Sequence, residues 1–200
     1  MTNPLLALTM GEPGGVAPEI TIAAWQHFRT KDILSFLVIA DKELLQTAGP
    51  DIAIKIIDSP SQAADVFKTA LPVIHQPLNS PAVAGVADRA NAIAVIVSID
   101  RAVEFCFEKL VGGVVTNPIQ KESLYDTGFS FQGHTDYLAH LSKAAGHEVN
   151  PVMMLSAKDL RTVPISVHIA LKDVAKSLSN GIGPVKKSTT SSITGILFID

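Results

Sequence analysis

Cysteine is almost missing from this chain, since Cys106 is the single one among 200 residues. One cysteine cannot form an internal disulfide, which excludes the disulfide-rich secreted scaffolds and is typical of a reducing compartment. Charge is also scarce: Asp, Glu, Lys and Arg make up 18% of the residues, and the net charge is −3. With a hydrophobic fraction of 47%, this low charge excludes a disordered chain. No stripe of Lys and Arg is present, so no nucleic-acid partner is expected.

Long hydrophobic runs are missing too. The longest uncharged, mostly apolar run covers residues 90–99 and is bracketed by Arg89 and Asp100. A bilayer-spanning helix needs about 20 apolar residues, so this run is too short. No basic region precedes the apolar residues 5–8, so no secretory signal is expected. We therefore expect a cytoplasmic protein with no membrane partner.

The remaining pattern alternates short apolar runs with helical segments. This alternation predicts βαβ units, and therefore an α/β fold with a mostly parallel sheet flanked by helices. Pro18 suits the first turn of a helix, and Asp41 suits a helix N-cap. The predicted strands are 4–10, 33–40, 52–57, 71–75, 111–116, 152–155 and 162–168, and the predicted helices are 19–28, 42–47, 84–110, 123–127, 135–145 and 171–178.

The last twenty-one residues differ from the rest. Asn180-Gly181 and Gly183-Pro184 interrupt any helix, and residues 186–192 are polar and low in complexity. We therefore divide the chain into an α/β region, 1–179, and a divergent polar linker with a short apolar tail, 180–200.

The glycine-rich stretch GEPGGVAPE, residues 11–19, lies between a predicted strand and a predicted helix. Glycines there let the backbone approach a ligand, and the helix N-terminus favours an anion. The stretch is neither a dinucleotide fingerprint nor a P-loop. A tight turn that requires glycine is the alternative interpretation.

Two further stretches follow predicted strands or turns. TNPIQK, residues 116–121, places Lys121 where ligands of open α/β sheets bind, although an ordinary solvated lysine is the alternative. GHTDYLAH, residues 133–140, places His134 and Thr135 at the start of a helix, which suits a phosphate or another anion. The alternative makes Thr135 an N-cap and His134 a surface residue. His140 and His147 match no zinc spacing, and we interpret both as surface residues.

His168 ends the apolar stretch VPISVHIAL. A neutral imidazole there could bind a metal, and a hydrogen-bonded core or edge residue is the alternative. No second Cys, His or carboxylate lies at a recognisable metal-binding spacing from it.

Taken together and in this order, TMGEPGGVAPE, VVTNPIQKESLYDTGFSFQGHTDYLA, VMML and SVHIALKDVA resemble the 4-hydroxythreonine-4-phosphate dehydrogenase family of pyridoxal phosphate biosynthesis. The resemblance covers about residues 5–178. It implies a fold similar to that of the isocitrate and isopropylmalate dehydrogenases, with two lobes and a homodimer that shares its active site. It also implies oxidation of a phosphorylated hydroxy amino acid by NAD or NADP, after which the ketone loses CO₂.

The resemblance also assigns residues. His134 and Thr135 match the substrate-binding pair of the family, and His168 matches the first of its three metal-binding histidines. A divalent metal such as Zn, Mg or Co would acidify the alcohol. The stretches that carry the other two histidines, N-P-H-A-G-E and Y-H-D-Q-G, do not occur here.

We therefore expect a C-terminally truncated member with an incomplete second lobe and no activity of its own. Two alternatives remain: a non-catalytic remnant that keeps a phosphate-binding or dimer surface, and a related dehydrogenase of another phosphorylated hydroxy acid.

Overall fold

Five parallel strands form the main sheet of this protein. The computed structural model describes residues 4–125, 127–131, 133–147, 151–164 and 169–179. The strands are β1 (Leu5–Thr9), β2 (Ser35–Ala40), β3 (Ile54–Ile56), β4 (Leu71–His75) and β5 (Gly113–Val115). Their order is β3-β4-β2-β1-β5, and every neighbouring pair is parallel. The predicted mostly parallel α/β fold is confirmed.

Helices connect and follow these strands. They are α1 (Ala17–Phe28), α2 (Lys42–Ala48), α3 (Ala63–Phe67), α4 (Ala92–Phe107), α5 (Lys121–Tyr125), α6 (His134–Ala144) and α7 (Leu171–Ser179), with 3₁₀ turns at Pro60–Gln62 and Arg89–Asn91. Pro18 lies in the first turn of α1 as predicted. Asp41 caps α2, because its carboxylate accepts the backbone N–H groups of Glu43 and Leu44. No helix in the described ranges is long and apolar enough to cross a membrane.

The core lies between the central strands and the helices that pack on them. Leu37, Val38 and Ile39 of β2 are fully buried, as a strand flanked on both sides requires. Trp25 of α1 is almost fully buried, and its indole Nε1 donates to the carbonyl of Phe67 at 2.8 Å. This bond ties α1 to the end of α3.

The long helix begins later than its apolar pattern predicts. Residues 84–110 were expected to be helical, whereas α4 begins at Ala92 after the 3₁₀ turn. Asp88 starts that turn by accepting the N–H of Ala90. The Asn91 carboxamide then accepts the N–H groups of Asn79 and Ser80, which anchors the preceding loop. These side-chain bonds compete with the helix in a way that hydrophobic periodicity does not register.

The described residues divide into two compact units, the first ending at His134 and the second running from Thr135 to Ser179. The second unit contains an antiparallel pair, β6 (Leu155–Ala157) and β7 (Leu160–Thr162). The predicted strand at 152–155 is wrong over its first three residues, because a tight reversal through Lys158, with φ of 48°, pairs Leu155–Ala157 with Leu160–Thr162. The predicted strand at 162–168 shares only Thr162 with β7; residues 163–164 are not in a strand, and 165–168 lie outside the described residues. Every residue of β6 and β7 is exposed, so burial leaves no alternating pattern there.

Candidate functional site

The loops that follow β1 and β5 meet at the carboxyl edge of the sheet. The two strands are parallel neighbours, with Leu6 beside Gly113 and Leu8 beside Val115. Parallel neighbours end at the same edge, so the loops after Thr9 and Val115 leave the sheet side by side. The backbone N–H of Glu12 donates to the carbonyl of Pro118 at 2.8 Å. The structure thus brings together two of the predicted stretches, 11–15 and 116–121.

A buried carboxamide fixes the junction of these loops. The Asn117 side chain is 4% exposed, and its Nδ2 donates to the Thr9 carbonyl at 2.9 Å and to Thr21 Oγ1 at 2.8 Å. The backbone N–H of Asn117 donates to Thr9 Oγ1 at 3.1 Å. Thr21 in turn donates its hydroxyl to the Ala17 carbonyl at 2.8 Å. These four bonds connect the ends of β1 and β5 to the first turns of α1; we call Thr9, Thr21 and Asn117 the carboxamide junction.

Gly11 occupies the narrowest point beside this junction. Its φ of +71° lies in the left-handed region, which residues with a Cβ disfavour. A Cβ built on it would lie 2.6 Å from the Asn117 Cβ and 2.7 Å from the Ala17 Cβ. Glycine is therefore required here for two reasons, conformation and space.

The glycine-rich loop uses its donors internally. The N–H of Gly14 donates to Glu12 Oε1 at 3.3 Å, and the N–H of Gly15 donates to the Glu12 carbonyl at 3.1 Å. The Gly14 carbonyl accepts the N–H of Gly85 at 2.7 Å. A Cβ on Gly14 would lie 2.1 Å from the carbonyl oxygen of Val86, so the 83–86 segment covers this glycine. Because these N–H groups are already bonded, the structure favours a tight turn over an anion cradle at residues 11–15.

Glu12 brings a half-buried carboxyl group to the same edge. Burial raises the pKa of this carboxyl above its ordinary value, and the negative charge of Asp88 raises it further, while the N–H of Gly14 opposes the rise. Raised carboxyl pKa values are common at functional sites and also occur in structural turns. Glu12 is the titratable group of the glycine loop that could accept or release a proton.

Sequence reasoning also missed the buried hydroxyl of Ser98 at this edge. Ser98 of α4 accepts the N–H of Met10 at 2.7 Å and donates to the Ile39 carbonyl at 2.8 Å. The Ser98 hydroxyl therefore supplies hydrogen-bond partners to two backbone groups near the ends of β1 and β2, the Met10 N–H and the Ile39 carbonyl. A single serine within the apolar stretch of a predicted helix was the available signal, as was Thr21 on the buried side of α1.

The other predicted site residues have different surroundings. His134 is the first residue of α6 and is half-buried, so it is not an ordinary surface residue, and Thr135 is not an N-cap because it lies within the helix. Thr135 is the second residue of α6 and begins the second unit. Lys121 is exposed at the start of α5. His168 lies outside the described residues, so its metal-binding role stays a prediction.

Two points bear on metal binding. His140 and His147 are exposed, as predicted for surface residues. In the described part of the chain, no group of three His, Cys, Asp or Glu side chains could hold a metal ion.

Comparison with known proteins assigns a family to this arrangement. The family model described as pyridoxal phosphate biosynthetic protein PdxA matches residues 32–186. A 4-hydroxythreonine-4-phosphate dehydrogenase from Caulobacter vibrioides is 40% identical over 181 residues, covering 90% of this chain and 54% of that protein. A protein of the same name from Methylorubrum extorquens is 38% identical and covers 88% of this chain and 52% of its own length. The chain thus spans about half the length of the curated relatives that it matches.

Solved structures agree with the sequence comparison. A crystal structure of a 4-hydroxythreonine-4-phosphate dehydrogenase from Burkholderia phymatum superposes with a TM-score of 0.75 at 28% identity, covering 86% of this chain and 52% of that chain. The corresponding structure from Klebsiella pneumoniae gives a TM-score of 0.74 at 26% identity, covering 88% and 55%. A terephthalate dihydrodiol dehydrogenase from Burkholderia xenovorans, 17% identical with a TM-score of 0.59, shares the fold.

Proposed function

The chain belongs to the PdxA family of pyridoxal phosphate biosynthetic proteins, and we propose that it is part of an enzyme that oxidises 4-hydroxythreonine 4-phosphate. The proposed reaction transfers a hydride from the 3-hydroxyl carbon to NAD or NADP, and the hydroxyl proton leaves. The product, 2-amino-3-oxo-4-(phosphooxy)butanoate, then loses CO₂ to give 3-amino-2-oxopropyl phosphate. The observation that carries this proposal is the 33–40% identity to proteins named for this activity across most of the chain.

We assign the substrate's phosphate end to His134 and Thr135. Both lie in the first turn of α6, where the backbone N–H groups have no partner within the helix and can bond to an anion. The helix has 11 residues, so its dipole also favours an anion at this end. The carboxamide junction acts indirectly in this proposal: Asn117 is buried, and its bonds hold the two strand-end loops in a fixed arrangement.

The described residues do not complete a metal or nucleotide site. His168 is the proposed metal ligand, and one histidine cannot fix a catalytic ion. The glycine loop does not fit a dinucleotide pyrophosphate, because its N–H groups bond to Glu12 and its Gly14 is covered by Val86.

The remaining proposals follow from the family. We propose a homodimer with a shared active site, a cytoplasmic location, and a divalent ion such as Zn, Mg or Co in the complete enzyme. We also keep the division into the α/β region 1–179 and the divergent stretch 180–200. Because the chain spans about half of its relatives and its described residues contain no metal-binding group, a non-catalytic remnant with a phosphate-binding or dimer surface is the second candidate.

An activity assay tests the expected inactivity of this chain, and turnover in it would exclude the second candidate. The purified chain is incubated with 4-hydroxythreonine 4-phosphate, NAD⁺ or NADP⁺, and added Zn²⁺, Mg²⁺ or Co²⁺, beside a full-length relative as the positive control. We expect reduced cofactor from the relative and none from this chain. Metal-dependent turnover by this chain that disappears in His168→Ala would refute the expected inactivity and the second candidate together.

The substrate assignment is tested in the full-length relative. Alanine at the counterparts of His134 and Thr135 should weaken substrate binding, and alanine at the counterpart of the exposed His140, on the same helix, is the matched control. Unchanged KM and kcat in the double variant would remove the pair from the site.

A further inference from the structure

A basic depression lies at the opposite edge of the sheet from the strand-end loops. It has a volume of about 160 Å³ and lies where α1 ends and β2 begins. Its charged residues are Arg29, Lys31, Asp32 and Lys68, and Phe67 also lines it; these five residues define the basic depression. Three cations and one anion leave the depression with a net positive charge at neutral pH.

Arg29 is held in place before any ligand arrives. Its guanidinium carbon lies 4.9 Å from the centre of the Trp25 ring, a cation–π arrangement. The indole cannot easily move, because Trp25 is 2% exposed and its Nε1 donates to the Phe67 carbonyl. The ring of Phe67 in turn packs edge-on against Phe36 at 5.0 Å. A guanidinium group fixed in this way loses little conformational entropy when it binds an anion.

The one acidic residue of the depression acts as an internal competitor. Asp32 Oδ1 lies 2.7 Å from Lys68 Nζ, and both side chains are largely exposed. The hydrogen bond and the charge of Lys68 lower the pKa of the Asp32 carboxyl, so Asp32 is ionised at neutral pH. An exposed ion pair of this kind contributes little stability, so an anion with more charge can displace the carboxylate from Lys68.

We propose that the basic depression binds a phosphate dianion, either free or carried by a small ester. Arg29 presents parallel N–H donors that match two phosphate oxygens, and Lys31 and Lys68 add point charges from the rim. Leu34 and Phe67 line the depression with apolar surface against which the organic part of an ester can pack. This site is separate from the strand-end loops and does not depend on the proposed dehydrogenase activity.

The single tryptophan of the chain reports on this site directly. Trp25 is the only tryptophan and lies under Arg29, so its fluorescence should change when Arg29 engages an anion. The full chain is titrated with inorganic phosphate and with phenyl phosphate at constant ionic strength, against sodium chloride. We expect a saturable change with both phosphates and none with chloride. Tighter binding of phenyl phosphate would indicate an ester as the ligand, and equal binding would indicate the free ion.

Variants locate the binding. Arg29→Ala should weaken phosphate binding by about tenfold or more, the loss expected for a charge-assisted hydrogen-bonded pair. Arg29→Lys keeps the positive charge but removes the planar guanidinium, so it should also weaken phosphate binding. Asp32→Asn removes the competing carboxylate, so it should tighten phosphate binding. Lys55→Ala, an exposed lysine on β3, is the matched control and should bind as the unmodified chain does.

Calorimetry repeats each dissociation constant independently of Trp25, and circular dichroism checks that each variant is folded. The proposal is overturned by a titration without saturation, by an equal response to chloride, or by equal affinities of Arg29→Lys and Lys55→Ala.

Discussion

Glycine-to-alanine substitutions at three positions in the turn after β1 and in the 83–86 segment that covers it separate two losses of stability. One comes from a left-handed backbone, and the other comes from steric crowding. Gly85 has a φ of +81°, and a Cβ built on it would have no neighbour within 4 Å. Alanine there therefore loses stability only because its backbone must be left-handed. Gly14 has no such φ, but its Cβ would lie 2.1 Å from the Val86 carbonyl oxygen, so alanine there meets only crowding. Gly11 combines a φ of +71° with contacts as short as 2.6 Å.

The expected magnitudes follow from these geometries. A left-handed alanine costs about 1 kcal/mol, which is the expected loss in the free energy of unfolding for Gly85→Ala. Overpacking costs about 1–3 kcal/mol, and a contact with immobile backbone places Gly14→Ala near the upper end. Gly11→Ala should lose about 3–4 kcal/mol, the combined cost of both effects. Since domains are stable by about 5–15 kcal/mol in total, this loss is readily measured.

Urea denaturation followed by Trp25 fluorescence measures all three changes, because this tryptophan lies in the core of the first unit. Circular dichroism provides a second probe of the same transition. Gly11→Ala should be destabilised clearly more than Gly85→Ala. If the two variants unfold at the same urea concentration, crowding at the junction contributes nothing and the reasoning about Gly11 is refuted.

The remaining predictions concern the polar groups of the same edge. Asn117→Asp removes the donors to the Thr9 carbonyl and Thr21 and introduces a buried charge, so the free energy of unfolding should fall by about 2–4 kcal/mol. Thr21→Val should lower the free energy of unfolding by about 1–2 kcal/mol, and Thr21→Ser should change it little because serine keeps the hydroxyl. Equal losses for valine and serine would contradict a role for the hydroxyl. Because the pKa of Glu12 is raised above 4.5, the folded state holds its proton more tightly, so stability should fall as pH rises from that value through the raised pKa. Glu12→Gln, which keeps an acceptor for Gly14, should flatten this pH dependence of the urea midpoint; an unchanged slope would contradict the raised pKa.

The sequence predicted those features that depend on local pattern. The buried strands β1, β2 and β4 appeared as short apolar runs, and Asp41 was identified as a helix cap, because one side chain and the following N–H groups decide that structure. The family resemblance, carried by the glycine stretch, residues 114–139 and two shorter stretches after them, predicted the fold that the solved relatives share.

The features that the sequence did not predict depend on contacts between distant residues. The start of α4 is set by Asn91 bonding to residues 79 and 80, and the carboxamide junction pairs Asn117 with Thr9 and Thr21. The internal bonding of the glycine loop was also hidden, because the same glycines serve an anion site or a tight turn until the partners of their N–H groups are known. The hairpin of β6 and β7 escaped pattern reasoning because its residues are all exposed.

The central position of β1 has a consequence for the order of folding. β1 pairs with β2 from nearby in the chain, but its other neighbour, β5, begins at Gly113, and the Thr9–Asn117 bond spans 108 residues. Closing the loop between residues 9 and 117 costs conformational entropy before the contact forms, so β1 should pair with β5 late in folding. During synthesis, β1, β2, β3 and β4 can assemble first, and the edge of β1 that pairs with β5 stays unpaired until residues 113–117 have left the ribosome. Substitutions in the carboxamide junction should therefore accelerate unfolding more than they slow folding.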